Sequence, residues 1–232
     1  PRPRATQMLT ALCIVIYLFQ LALGFRVTLA GHYSPALVAD GDVWRLLTAN
    51  LLHAQGGFAG FAHIALNLLA LMALGFLVER PLGSARTACV MGISAVGAMV
   101  TGGVFENSMV VGVSGIVFGL AGSVLWLDYR HAEALPAWWR FPRRSLWIIL
   151  AINVVIGALL PFIALAAHIG GLISGAVATA WVGRRIFTRP ALWIRATCGA
   201  LLFATVLSLA TAGLDVFADG NAAARYAARK AQ

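Results

Sequence analysis

Val113-Ser114-Gly115-Ile116-Val117-Phe118-Gly119-Leu120-Ala121-Gly122-Ser123-Val124-Leu125-Trp126-Leu127-Asp128 lies near the middle of the chain, and its reading decides the fold. It reads as a short, glycine-rich transmembrane helix with a serine in its first turn. At about 1.5 Å per residue the stretch covers roughly 24 Å, less than the roughly 30 Å of a bilayer's hydrocarbon core. Either the bilayer thins there, or the loop around Gly112 dips below the outer surface with protein around it. A hydroxyl at the top of a helix that begins inside the membrane is read as a nucleophile.

Working outward, the whole chain is 61% apolar and 11% charged, against roughly 25% charged in a soluble domain. The fold class is therefore all-α, a polytopic transmembrane helical bundle. Net charge is +9, yet the basic residues fall in short loops between apolar runs, as membrane orientation requires; no nucleic-acid partner is expected. Cys13, Cys89 and Cys198 sit in three different apolar runs, where cysteine behaves as a small hydrophobe. No disulfide is expected, and a C-x-x-C redox or zinc pattern is absent.

Seven spans can be read, over about 8–29, 58–78, 86–104, 113–128, 145–163, 166–183 and 191–213. With the N-terminus inside, twelve of the 17 basic side chains lie on the cytoplasmic side and five outside, which the positive-inside rule favours. Residues 1–7 are then a cytoplasmic N-terminus and 214–232 an extracytoplasmic tail. Short loops favour a bacterial plasma membrane. The 28-residue outer loop Ala30–Gly57 is too long to lack structure. It is expected to carry short amphipathic helices at the lipid headgroups, with Trp44, Leu46 and Leu47 turned inward. The inner loop from Tyr129 to Arg144, with Trp138-Trp139 and Arg143-Arg144, reads as an aromatic and basic interfacial anchor. The outer link Leu160-Pro161-Phe162 is very short.

Polar side chains inside a membrane are costly unless paired, and usually face the bundle interior or water. The census within the spans names His63, Asn67, Asn153 and His168. His63 and Asn67 are four apart and share a helix face. The even-numbered spans enter from the outer side, and His63, Ser114 and His168 each lie near that end. All three fit one layer within about 10 Å of depth. Acyl transfer can use such a layer: a serine hydroxyl needs a neighbouring base, and neutral histidine suits that near pH 7. With no carboxylate near His168, the expected arrangement is a dyad, Ser114 attacking and His168 acting as base and then acid. Oxyanion donors would be the Ser114 backbone N–H, Asn67 and His63. Phe118, one turn below Ser114, either packs under the His168 ring or is a core aromatic. Gly112 and Gly115 flank the serine and permit close backbone approach. Gly171 and Gly175, with the stripe Gly115, Gly119 and Gly122, would bring the fourth and sixth helices together.

Taken in order, these pieces resemble the rhomboid intramembrane serine proteases. Gly112-Val113-Ser114-Gly115 matches G-x-S-G, His63-Ile64-Ala65-Leu66-Asn67 matches H-x-x-x-N, and Ala167-His168-Ile169-Gly170-Gly171 matches A-H-x-x-G. Trp44-Arg45 matches the family's W-R pair, and Glu79-Arg80-Pro81-Leu82-Gly83 its E-x-x-x-G. The resemblance covers about 8–185. It implies a rhomboid-like six-helix catalytic core with its outer loop at 30–57, and an additional seventh helix at 186–213 outside that core. It further implies no cofactor and cleavage of transmembrane segments of other membrane proteins, which would enter between the second and fifth spans. The family often has a further histidine just before H-x-x-x-N. Here the candidate is His53, ten residues upstream of His63, either a supporting hydrogen-bonding group or an exposed loop residue. Two other functions compete: a non-catalytic rhomboid-like chaperone or scaffold for transmembrane helices, and a small-solute transporter lined by Asn153, His63 and His168. An inactive relative would be expected to lack the serine or the histidine, and a transporter gives no reason for G-x-S-G at a helix start.

Overall fold

The computed structural model describes residues 2–105, 109–139, 143–159 and 164–217. The Leu160-Pro161-Phe162 link, Arg140 and the tail beyond 217 lie outside the described residues. In chain order the helices are α1 (Arg4–Leu23), α2 (Phe25–Gly31), α3 (Pro35–Ala39), α4 (Arg45–Thr48), α5 (Gly57–Leu82), α6 (Ser84–Phe105), α7 (Ser114–His131), α8 (Arg143–Leu159), α9 (Leu165–Val182) and α10 (Leu192–Phe217). Among the described residues the only β pairing is an isolated antiparallel bridge between Tyr33 and Val110.

Among the described residues, six helical segments are long and apolar enough to cross a membrane: α1, α5, α6, the segment containing α8, α9 and α10. The central helix α7 falls below that test, since its last turns carry Asp128, Arg130 and His131. It needs little lipid-facing surface. Every residue from Gly115 to Val124 is buried, wrapped by α5, α6 and α9.

The first span is shorter than its sequence suggests. Gly24 takes φ +71° and ends α1, so Phe25–Gly31 forms a separate helix rather than the last turns of a helix reaching residue 29. Glycine makes that break cheap, because positive φ costs it nothing. The N-terminus of α1 is capped from another helix. Glu79 on α5 accepts the Ala5 N–H at 2.8 Å, the Thr6 N–H at 2.9 Å and the Thr6 hydroxyl at 2.7 Å. A carboxylate there satisfies orphan amides and meets the positive end of the helix dipole. Four residues on, Gly83 turns the chain at φ +77° while its N–H bonds the Glu79 carbonyl, which accounts physically for the E-x-x-x-G spacing.

Helices α7 and α9 meet so closely that backbone touches backbone. A Cβ on Gly171 would fall on the Gly115 carbonyl, one on Gly175 on the Gly119 backbone, and one on Gly122 on the Leu172 carbonyl. Just past these glycines on the two helices, Thr179 Oγ1 donates to Ser123 Oγ at 2.7 Å, and Ser123 Oγ donates to the Gly119 carbonyl at 2.8 Å. The α7–α9 contact is thus small-residue packing with a buried hydroxyl pair, as suits a medium where apolar burial gives helices no net attraction.

The inner-loop expectation is half corrected. Trp139 is 1% exposed and donates its indole N–H to the Leu77 carbonyl at 2.6 Å, so it is a core residue rather than a lipid anchor. Trp138 is exposed, with the Arg80 guanidinium 4.9 Å from its ring centroid. All three cysteines are free.

Candidate active site

Ser114 is the first residue of α7 and His168 the fourth of α9. His168 Nε2 and Ser114 Oγ lie 2.9 Å apart. The Phe118 ring stacks on the imidazole at 4.3 Å between centroids and 8° between planes. With Nε2 facing a hydroxyl, the acceptor tautomer there places the ring proton on Nδ1, which is buried without a hydrogen-bond partner among the described residues. No carboxylate orients this histidine in the described residues; the stacked ring is what fixes its plane.

The backbone leading to the serine is set by glycine and by the outer segment. Gly112 holds φ +128°, a conformation side-chain-bearing residues rarely adopt. A Cβ there would sit 3.2 Å from His63 Cε1 and 3.4 Å from its Nε2. The Gly112 N–H donates to the Ala49 carbonyl at 3.0 Å. Ser114 itself stands in the first turn of α7, where backbone N–H groups have no intrahelical acceptor and the helix dipole is positive.

His63 projects from the second turn of α5 towards the same place. Its Nδ1 accepts the Ala54 backbone N–H at 3.2 Å. That assigns the proton to Nε2, on the side facing Gly112. One turn on, the Asn67 amide donates to the His63 carbonyl at 2.9 Å, leaving its second N–H available. His63, Asn67, Gly112, Ser114, Phe118 and His168 all line one cavity of about 570 Å³, with further walls from Ala70 on α5 and from Leu146, Ile149, Leu150 and Asn153 on α8. Asn153 donates to its own helix, to the Ile149 carbonyl at 2.8 Å. Gly171 and Gly175 lie deeper along α9, in the helix contact described above. Among the described residues no group of three or more His, Cys, Asp or Glu is gathered to hold a metal ion.

His53 is fully buried, which rules out the exposed-loop reading. Its ring centroid lies 5.5 Å from that of His63. Burial pushes its imidazole down to about 3, so it is neutral at physiological pH. Gln20 of α1 grips its backbone: the His53 N–H donates to Gln20 Oε1 at 3.0 Å, and Gln20 Nε2 donates to the His53 carbonyl at 2.9 Å. The polar census within the spans missed Gln20. An amide in an otherwise apolar run was the available signal, and the long-run reading of 8–29 passed over it. Gly60 lets this loop lie on α5, since a Cβ there would sit 2.9 Å from the Ala54 carbonyl oxygen.

A bundle of apolar helices with a polar cleft near one end of three of them defines a multi-pass integral membrane protein. Residues 40–185 match the rhomboid domain model, and the chain belongs to the rhomboid family. It is 33% identical over 153 residues to the rhomboid protease GluP of Bacillus subtilis, covering 66% of this chain and 29% of that protein. It is 30% identical over 185 residues to the rhomboid protease GlpG of Haemophilus influenzae, covering 75% of this chain and 88% of that protein. A mitochondrial RHOMBOID-like protein 6 of Arabidopsis thaliana is 34% identical over 145 residues, 60% of this chain and 43% of that one. The chain thus spans less than half the length of GluP and of this plant relative.

Proposed function

We propose that this chain is an intramembrane serine endopeptidase that cleaves transmembrane segments of other membrane proteins. The observation that carries the reading is the 2.9 Å contact between His168 Nε2 and Ser114 Oγ in a large cavity. In the first step Ser114 Oγ attacks the scissile carbonyl carbon and its proton passes to His168 Nε2. The oxyanion is met by the Ser114 backbone N–H, the Nε2–H of His63 and the free N–H of Asn67. The C–N bond then breaks, and His168 returns the proton to the leaving amine. Water, deprotonated by the same imidazole, hydrolyses the acyl-enzyme and frees Ser114. Walls from α5 and α8 suit a substrate segment arriving between these helices. The basic-residue asymmetry supports a cytoplasmic N-terminus and a cleft opening to the extracytoplasmic side. A non-catalytic scaffold has no use for the paired serine and histidine.

The test is Ser114→Ala in proteoliposomes with a single-span membrane substrate. Wild type is expected to cleave it and to be labelled by a fluorophosphonate; the variant should do neither. Undiminished cleavage by Ser114→Ala would overturn the assignment. Phe118→Ala, which removes the ring that stacks on His168, is expected to lower kcat about tenfold through misorientation of the base. Phe118→Tyr, which keeps the ring, should retain most of the activity in the same assay.

A further inference from the structure

Helix α10 starts after residue 185, where the family match ends, and polar contacts tie its approach and its far end. In the segment leading into it, Arg86 of α6 donates to the Thr188 carbonyl at 2.7 Å and to Thr188 Oγ1 at 3.0 Å. Midway, α10 lies so close to α6 that a Cβ on Gly92 would meet Leu201 at 2.9 Å. At the far end, Asp215 Oδ2 stands 3.9 Å from Arg45 Nη2, and the Arg45 side chain is fully buried. The same guanidinium donates to Asp42 at 2.9 Å, to the Leu29 carbonyl at 2.9 Å and to the His32 carbonyl at 3.0 Å. One cation therefore joins α10 to α2 and to the turn before α4.

That outer segment in turn holds the backbone in front of Ser114. Tyr33 and Val110 exchange two backbone hydrogen bonds of 3.0 and 3.1 Å, and the Ala49 carbonyl just after α4 receives the Gly112 N–H. A 240 Å³ apolar cavity, lined by Phe19, Val27, Leu52, Leu209 and Val216, opens between α10 and this segment. Around that cavity α10 also packs on α2 and α4, and the charge pair adds a polar link to that contact. A carboxylate near the end of a membrane helix is also costly without a cationic partner.

We propose that Asp215 is a positioning residue: through Arg45 it steadies the segment ending at Ala49, and so fixes Gly112 and the approach to Ser114. The extra helix then tunes the active site from outside the matched domain. The kinetic half of this inference rests on Ser114 being the nucleophile; the structural half does not.

The experiment uses the full chain in proteoliposomes, as wild type, Asp215→Ala and Asp215→Glu. Deuterium uptake is followed in peptides covering residues 109–113, alongside the rate of fluorophosphonate labelling. Asp215→Ala should speed exchange at Val110 and Gly112 and slow labelling about fivefold, the size of a coupling carried through packed elements. Asp215→Glu, which keeps the charge, should bring both back to within about twofold of wild type. Should Asp215→Ala not fold, the isosteric and uncharged Asp215→Asn carries the same comparison. Unchanged exchange at 109–113 would overturn the proposal, as would faster exchange spread evenly over α6 and α9, the sign of general loosening. If wild type takes no label, the nucleophile reading fails, and the exchange measurement alone decides the role of Asp215.

Discussion

Replacing His168 with alanine is expected to lower kcat for a membrane substrate by about 10²- to 10⁴-fold while leaving KM nearly unchanged. The reason lies in where the imidazole sits. Its Nε2 is within hydrogen-bonding distance of the Ser114 hydroxyl, so in the proposed mechanism its work is done on the proton that moves and not on the bound substrate segment. Losing a group that acts only as the barrier is crossed depresses kcat and kcat/KM together. A substrate held by the apolar walls of the cavity should still bind. Steady-state kinetics in proteoliposomes measure the split. A rise in KM with kcat preserved would mean that His168 contacts substrate and that another group activates the serine. The variant should also be labelled far more slowly by a fluorophosphonate, because that reagent needs the same activated hydroxyl.

The second large effect concerns stability. Gly175→Val should destabilise the bundle by about 3 kcal/mol or more, since an overpacked contact normally costs up to that amount. Here the obstacle is backbone. A Cβ at position 175 would fall on the Gly119 backbone, and a helix cannot yield as a flexible side chain can. Separating α7 from α9 would also part Thr179 from Ser123 and His168 from Ser114, so activity should fall with the melting temperature in detergent. Gly199→Ala on α10 is the matched control, because nothing lies within 4 Å of a Cβ at that position. It should be neutral or slightly stabilising, by up to about 1 kcal/mol of helix propensity. Equal melting temperatures for Gly175→Val and wild type would show that the two helices are not held by this contact.

The candidate residues could be picked out of the sequence because each breaks a local rule. His63, Asn67 and His168 are polar groups in apolar runs, and Ser114 stands among glycines at a helix start. Their four-residue spacing and helix positions pointed to one face, and His63, Asn67, Ser114 and His168 line one cavity. What could not be read were the partners that any residue type can supply. The Ala54 N–H that sets the His63 tautomer and the Ala49 carbonyl that holds Gly112 are backbone groups, and backbone groups leave no mark on residue identity. Burial was misjudged for a related reason. Trp139 lies in a segment that looks exposed along the chain, and His53 in one whose exposure the sequence left open, yet Leu77 and Gln20, 62 and 33 residues away, enclose them.

The amino-acid sequence by itself determined the class of molecule, the approximate limits of most of its apolar helices, and a short list of candidate groups for chemistry. Those follow from the transfer free energy of side chains into hydrocarbon, a property each residue carries wherever it sits. The distance from Ser114 to His168, the break at Gly24, the capping of α1 by Glu79 and the reach of Asp215 to Arg45 were decided only by the tertiary structure. Each depends on two surfaces meeting at van der Waals range, and that condition is set by the packing of residues far apart in the chain.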